Sequence, residues 1–258
     1  MREPDVLLAA LFPFMCIFLR TIGLFVTAPV LGARFIPAQL KVALSLVMAS
    51  FLWSYVKTSP VPTSTAGWIA SAMGEVAFGL FVGMIASIVL SAVETAGHIA
   101  DVELGFGLAN VIDPELGSSA PLLGTLKYLL ITVVFLALDG HHLFIRGLAE
   151  SFSILPAGAA RIPSAWADLA TSAAGRMLLV SLVLSCPIWV SMLITDVALG
   201  VLARSVPQLN VFVVGIPVKA LVGLAVLCAS LGFYGVFTEE LTGLLRNVLQ
   251  NFMGALSR

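Results

Sequence analysis

Three residues are best placed for chemistry, Glu94, His98 and Asp101, which follow one another at i, i+4 and i+7. On a helix that spacing puts all three on one face. Set in lipid such a group would be costly, so it should meet water or protein. Three uses compete for it. A metal half-site would need a further ligand, and none stands at a motif spacing. A proton relay, as in a secondary transporter, suits the residue types. A polar helix end facing a loop or vestibule requires no chemistry and is the simplest account.

A second polar knot, Asp139-Gly140-His141-His142, follows an apolar run. Adjacent histidines point to different faces of a helix, so they are not expected to share one metal as an H-E-x-x-H pair does. A polar cap at a helix junction is the expected role. The chain has no G-x-S-x-G, no phosphate-binding loop and no G-x-G-x-x-G. No residue is nominated as a catalyst, and neither a metal nor a cofactor is implied. Cys16, Cys186 and Cys228 each lie in an apolar run without a C-x-x-C pair, as expected of buried free thiols.

The elements that must position these residues are apolar. Of 258 residues, 60% are hydrophobic and 10% charged, against about 45–50% and about 25% in soluble domains. A soluble fold of this size would lack the polar surface to cover itself, so lipid or sister subunits must hide the excess. The 13 Lys and Arg nearly balance the 14 Asp and Glu. Nucleic acid, which is bound through clustered cations, is therefore excluded as a partner. Glu3, Pro4 and Asp5 spoil the basic start of a signal peptide, and no small-residue cleavage site follows, so the full chain is expected to persist.

Uncharged or nearly uncharged runs occupy 6–31, 42–56, 76–93, 122–138, 177–195 and 220–238. Arg20 and Pro29 interrupt the first, and Lys127 lies in the fourth. A spanning helix needs roughly 20 residues, so the fold class is all-α, a polytopic membrane protein with about six long apolar helices forming hairpins. Membrane strands would alternate in polarity, and an open sheet edge would leave backbone groups unpaired in lipid. Loops are expected at 59–65, 105–121, 156–163 and 206–217. Pro207 and Pro217 should break the helices around the last of these. The chain reads as one domain, 1–258, and any seam should fall at 156–163. Apart from Arg20, the cations divide five against seven between the two sides, so the positive-inside rule chooses no orientation.

Gly79, Gly83, Ser87, Ser91 and Thr95 recur every fourth residue. On a helix they form a stripe of small side chains that lets two backbones approach closely. The stripe fits a subunit interface and intrachain helix packing equally well.

The stretch Pro207-Gln208-Leu209-Asn210-Val211-Phe212, followed by Gly215-Ile216-Pro217-Val218-Lys219, resembles a loop of the FliR family of flagellar type III export-gate proteins. Arg20 with Pro29 and Pro37-Ala38-Gln39-Leu40-Lys41 are similar to that family's first hairpin. Glu75-x-x-x-Gly79-x-x-x-Gly83, Gly140-His141 and Asp196-x-x-x-Gly200 also fall in its order and spacing. The likeness covers nearly the whole chain. Gly215 before Ile216-Pro217-Val218-Lys219 is more similar to flagellar than to injectisome members.

The resemblance implies a non-enzymatic subunit that joins FliP and FliQ in a helical, pore-forming gate of the bacterial inner membrane, at the flagellar basal body. FlhB and FlhA would be further partners, and unfolded flagellar proteins the cargo. Residues 1–160 would be FliP-like and 161–258 a FliQ-like hairpin, with much of the assembly standing out of the membrane plane. A loop that partly closes the pore would match 105–121, with Gly105, Phe106, Gly107, Asp113 and Pro114 as candidates. Glycines permit unusual backbone angles, and an apolar constriction can gate by excluding water. Pro207, Gln208, Asn210, Phe212, Pro217 and Lys219 are the candidates for partner contact. Outside this class, a proton-coupled small-molecule transporter using Glu94, His98 and Asp101 is the main alternative, and a membrane enzyme comes third.

Overall fold

The computed structural model describes residues 3–33, 35–106, 121–160, 165–208 and 210–230, together with 232 and 243. Among them regular structure is helical throughout. The helices are α1 (Glu3–Thr27), α2 (Ala38–Trp53), α3 (Thr65–Glu103), α4 (Leu122–Ala137), α5 (Gly140–Ile154), α6 (Ala165–Ser205) and α7 (Val211–Ser230). An isolated parallel bridge joins Thr58 to Ala157.

The helices exceed the sequence-based expectation in two ways. The runs 76–93 and 177–195 lie inside helices of 39 and 41 residues. At 1.5 Å per residue these are about 60 Å long, twice the roughly 30 Å of a bilayer core. A search for uncharged runs sees the apolar middle of each and misses its polar-tipped ends. It also passes over α5, which carries Arg146 and Glu150 on one face and buries Phe144, Leu148, Ser151 and Phe152 on the other. That spacing is the signature of an amphipathic helix.

Pro217 does not break the chain as expected, since it lies within α7. Proline removes one backbone donor and crowds the preceding turn, a loss that helices in apolar surroundings tolerate where neighbouring groups compensate. Instead α6 ends at Ser205, ahead of Pro207, and Asn210 caps α7. Its Oδ1 accepts the Val213 N–H at 3.4 Å, and its main-chain oxygen accepts the same N–H at 3.0 Å.

The chain forms two compact units that interleave in sequence, changing over between Val89 and Leu90, at Leu138, and between Ala174 and Gly175. In the first unit α1 packs on α2, with Phe14 edge-on to Trp53 at 6.1 Å. A core of Phe78, Phe81, Ile85, Ala160, Trp166 and Ala173 lies around α3, and Trp166 stacks on Phe81 at 4.5 Å. The second unit has its own core of Ala100, Leu104, Leu123, Ile188, Met192 and Leu227.

Candidate functional site

In the first unit the small-residue stripe of α3 faces α1. A Cβ added at Gly79 would run into the Arg20 carbonyl oxygen, and one at Gly83 would meet Thr27, the Ala28 nitrogen and the Leu24 oxygen. Gly23 of α1 answers them, since its added Cβ would stand 2.7 Å from the Val76 oxygen. The two backbones are therefore close enough for side chains to bond across to main chain. Thr27 Oγ1 donates to the Leu80 oxygen at 3.0 Å, and Ser87 Oγ donates to the Thr27 oxygen at 2.5 Å. Gly79, Gly83 and Ser87 thus serve packing within the chain, while Ser91 is half-buried further along α3.

This close crossing sets Arg20 beside Glu75. Both side chains are fully buried. Arg20 Nε and Nη2 donate to the two carboxylate oxygens of Glu75 at 2.5 and 3.1 Å, the paired geometry that suits a guanidinium to a carboxylate. Nη1 reaches Ser151 Oγ at 3.0 Å, and Nη2 also reaches the Leu155 oxygen at 3.1 Å. Glu75 Oε1 accepts the Gly158 N–H at 2.7 Å. The guanidinium lies over the rings of Phe152 and Phe78, at 4.0 and 4.6 Å from their centroids. One cation so joins α1, α3, α5 and the 155–158 turn. The sequence offered a signal in each partner, an Arg and a Glu inside otherwise apolar segments, but not their pairing.

In the second unit the polar face of α3 separates into different environments. Asp101 is buried, Glu94 is half-buried and His98 is exposed. The Asp101 carboxylate accepts the Leu123 N–H at 2.9 and 3.1 Å and the Gly124 N–H at 3.0 Å. It therefore caps the first turn of α4 from another helix. Negative charge at a helix N-terminus meets both unpaired donors and the positive end of the helix dipole. The approach that permits this is a glycine pair, for a Cβ at Gly97 would stand 2.7 Å from the Gly124 nitrogen. Lys127, buried one turn further along α4, belongs to the same unit.

The candidate closing loop starts at this point. Gly105 adopts φ +82°, a conformation that favours glycine. The Phe106 N–H returns to the Asp101 main-chain oxygen at 3.0 Å, and the Phe106 side chain packs against the core of the unit. Asp101 is thus bonded on both sides of the intervening stretch, through its carbonyl to residue 106 and through its carboxylate to residues 123 and 124. Gly107, Asp113 and Pro114 lie outside the described residues.

Around the last loop, Pro207 and Gln208 are exposed. Lys219 forms an ion pair with Asp196 at 2.5 Å. Both line a groove of about 530 Å³ with Val102, Glu103, Leu199 and Ile216. The side chain of Phe212 is outside the described residues. At the other polar knot, Asp139 has the left-handed φ of +57° and occupies the N-cap of α5 without a side-chain capping bond. Contrary to the expectation that adjacent histidines diverge, the rings of His141 and His142 lie 4.3 Å apart.

Long apolar helices, exposed apolar faces and polar residues spent on joining helices define a polytopic helical membrane protein. The chain belongs to the bacterial export proteins, family 1, whose family model matches residues 11–245. It is similar to the flagellar biosynthetic protein FliR of Bacillus subtilis, at 32% identity over 248 residues, covering 94% of this chain and 95% of that relative. The Escherichia coli protein of the same name is 29% identical over 239 residues, covering 92% and 91%. The Yop proteins translocation protein T of Yersinia pestis is 25% identical over 220 residues, covering 84% of each chain.

Proposed function

We propose that the chain is a core subunit of the flagellar type III protein export gate in the bacterial inner membrane, where it helps to form and close the channel for unfolded flagellar proteins. The observation that carries this reading is the bare apolar surface of α6 and α7. In their most apolar windows, 22% of the α6 residues and 17% of the α7 residues are buried within the chain, against 56% for α3. Leu179, Val183, Ile194, Val197 and Leu221 are among the large apolar residues left outside. A helix about twice as long as a bilayer is thick cannot be covered by lipid alone along its whole length. Sister subunits of similar apolar character, FliP and FliQ, suit that surface, with FlhB and FlhA joining the assembly. In this reading residues 1–160 act as the FliP-like part and 161–258 as the FliQ-like hairpin.

The role requires no catalysis. Buried polar groups hold helices together, and the Asp101 carboxylate is engaged by the backbone N–H groups of Leu123 and Gly124. Flagellar relatives at 32% and 29% identity, against 25% for the Yersinia translocation protein, favour the flagellar over the injectisome system.

Gentle extraction from membranes and native mass measurement test the proposal. The expected result is a large complex that also holds two small hydrophobic proteins, while the chain purified alone moves no solute. A monomer that transports a solute by itself would overturn it. Deletion of 107–119 tests the closing role separately. Leakage of ions or small solutes should rise in the assembled gate, and unchanged leakage would discard that role.

A further inference from the structure

We propose that Asp139, His141 and His142 form a binding site for a divalent transition-metal ion at the start of α5. One donor atom from each residue lies within 4.8 Å of the others. His142 Nδ1 stands 3.5 Å from Asp139 Oδ1, and the two imidazole rings are tilted by 38° with centroids 4.3 Å apart. Neighbouring side chains on a regular helix diverge, but these stand where the chain enters a helix from a left-handed residue. Aspartate at an N-cap ordinarily accepts a backbone N–H of the first turn. Asp139 makes no such bond, so its carboxylate stays available beside His142.

A second observation concerns His141. Its Nδ1 is buried and has no hydrogen-bond partner. A buried polar nitrogen left unpaired is destabilising, and coordination through Nδ1 would remove that cost. Two imidazoles and one carboxylate form a nitrogen-rich set that suits Zn²⁺, Cu²⁺ or Ni²⁺ rather than Mg²⁺ or Ca²⁺. Bonds of about 2.0–2.1 Å in a tetrahedral site would set donors roughly 3.4 Å apart. The cluster must therefore tighten, and two members have room to move, since the side chains of His142 and Asp139 are 52% and 72% exposed. Three protein ligands leave a fourth position for water or for a group from a neighbouring subunit. The ion would fix the left-handed turn that sets the entry of α5, the helix that supplies Ser151 to Arg20.

The full chain, purified with whatever subunits accompany it, carries a tag free of histidine and is dialysed against chelator. Cu²⁺ alone is then titrated by calorimetry, with electron paramagnetic resonance to count nitrogen ligands. The chain has three histidines, so His98→Ala is the natural control. Wild type and His98→Ala should each show saturable binding of one ion per chain with coupling to two nitrogens. His142→Ala, which changes a half-exposed side chain and should not impair folding, should lose that binding, and Asp139→Asn should weaken it. Equal uptake by wild type and His142→Ala, or no saturable uptake by wild type, would overturn the site. So would loss of binding in His98→Ala.

Discussion

Arg20 and Glu75 lie 55 residues apart in sequence and meet as a doubly bonded pair with both side chains sealed from solvent. The pair sits beside the close approach of α1 and α3 at Gly79, so small residues and buried charge act together. The glycines bring the backbones near enough for the charges to meet. The charges in turn fix which turn of α1 faces which turn of α3, a choice that apolar contacts alone specify weakly.

Removing one member of this pair should be severe. Glu75→Gln leaves an uncompensated guanidinium among Phe78 and Phe152, and Arg20→Met leaves a bare carboxylate. Loss of one partner from a buried pair costs about 3–5 kcal/mol. The double change Arg20→Met with Glu75→Met should recover part of that, since no charge then remains buried. Protease resistance and unfolding midpoints in mild detergent are the measurements. Single variants as resistant as wild type would show that the pair does not hold the fold.

Gly79→Ala and Gly83→Ala should each weaken the α1–α3 crossing, because the added methyl meets backbone atoms that cannot swing aside. Overpacking of this kind costs about 1–3 kcal/mol. The loss should appear in the isolated chain as faster proteolysis of α1, before any partner is involved. Normal stability of the isolated chain together with failed co-purification would assign the stripe to a subunit interface instead.

The reach of the sequence can be judged from these residues. Helical class and membrane character follow from composition, because burial of backbone groups in apolar surroundings leaves few alternatives. The every-fourth-residue stripe was legible as a contact surface, yet its partner was not, since α1 shows no matching repeat beyond Gly23. Asp101 was legible as a polar group on a helix face. Its use as a cap depends on the Gly97–Gly124 approach, which joins segments more than 20 residues apart and leaves no local pattern. Pro217 continues α7 because a proline that breaks a soluble helix is tolerated in an apolar one. The helix α5 escaped because its charges conceal a regular buried face.

Asp101→Ala should loosen the start of α4, since Leu123 and Gly124 lose their shared acceptor. A hydrogen bond to a charged group contributes about 1.5–3 kcal/mol. Asp101→Asn keeps one acceptor oxygen and should fall between wild type and alanine. In an assembled gate both changes should raise leakage in that order, and faster amide exchange at Leu123 and Gly124 should accompany it. Unaltered exchange at those two amides would show that Asp101 does not hold the first turn of α4.

Lys219→Met separates two surroundings for the same ion pair. Its partner Asp196 keeps half of its side chain exposed in the isolated chain. If that face of α6 and α7 meets lipid, the abandoned carboxylate is costly and the chain should fail to insert or be degraded. If it meets water or polar subunit surface, as in a gate standing partly outside the membrane, an exposed pair contributes only about 0–1 kcal/mol. The expected outcome is the second: normal levels of the chain, with co-purification of partner subunits reduced because the groove beside Glu103 has gained net negative charge. Quantitative blotting of membranes and of the purified complex reads both effects. Loss of the chain itself would place the Asp196–Lys219 pair within the bilayer.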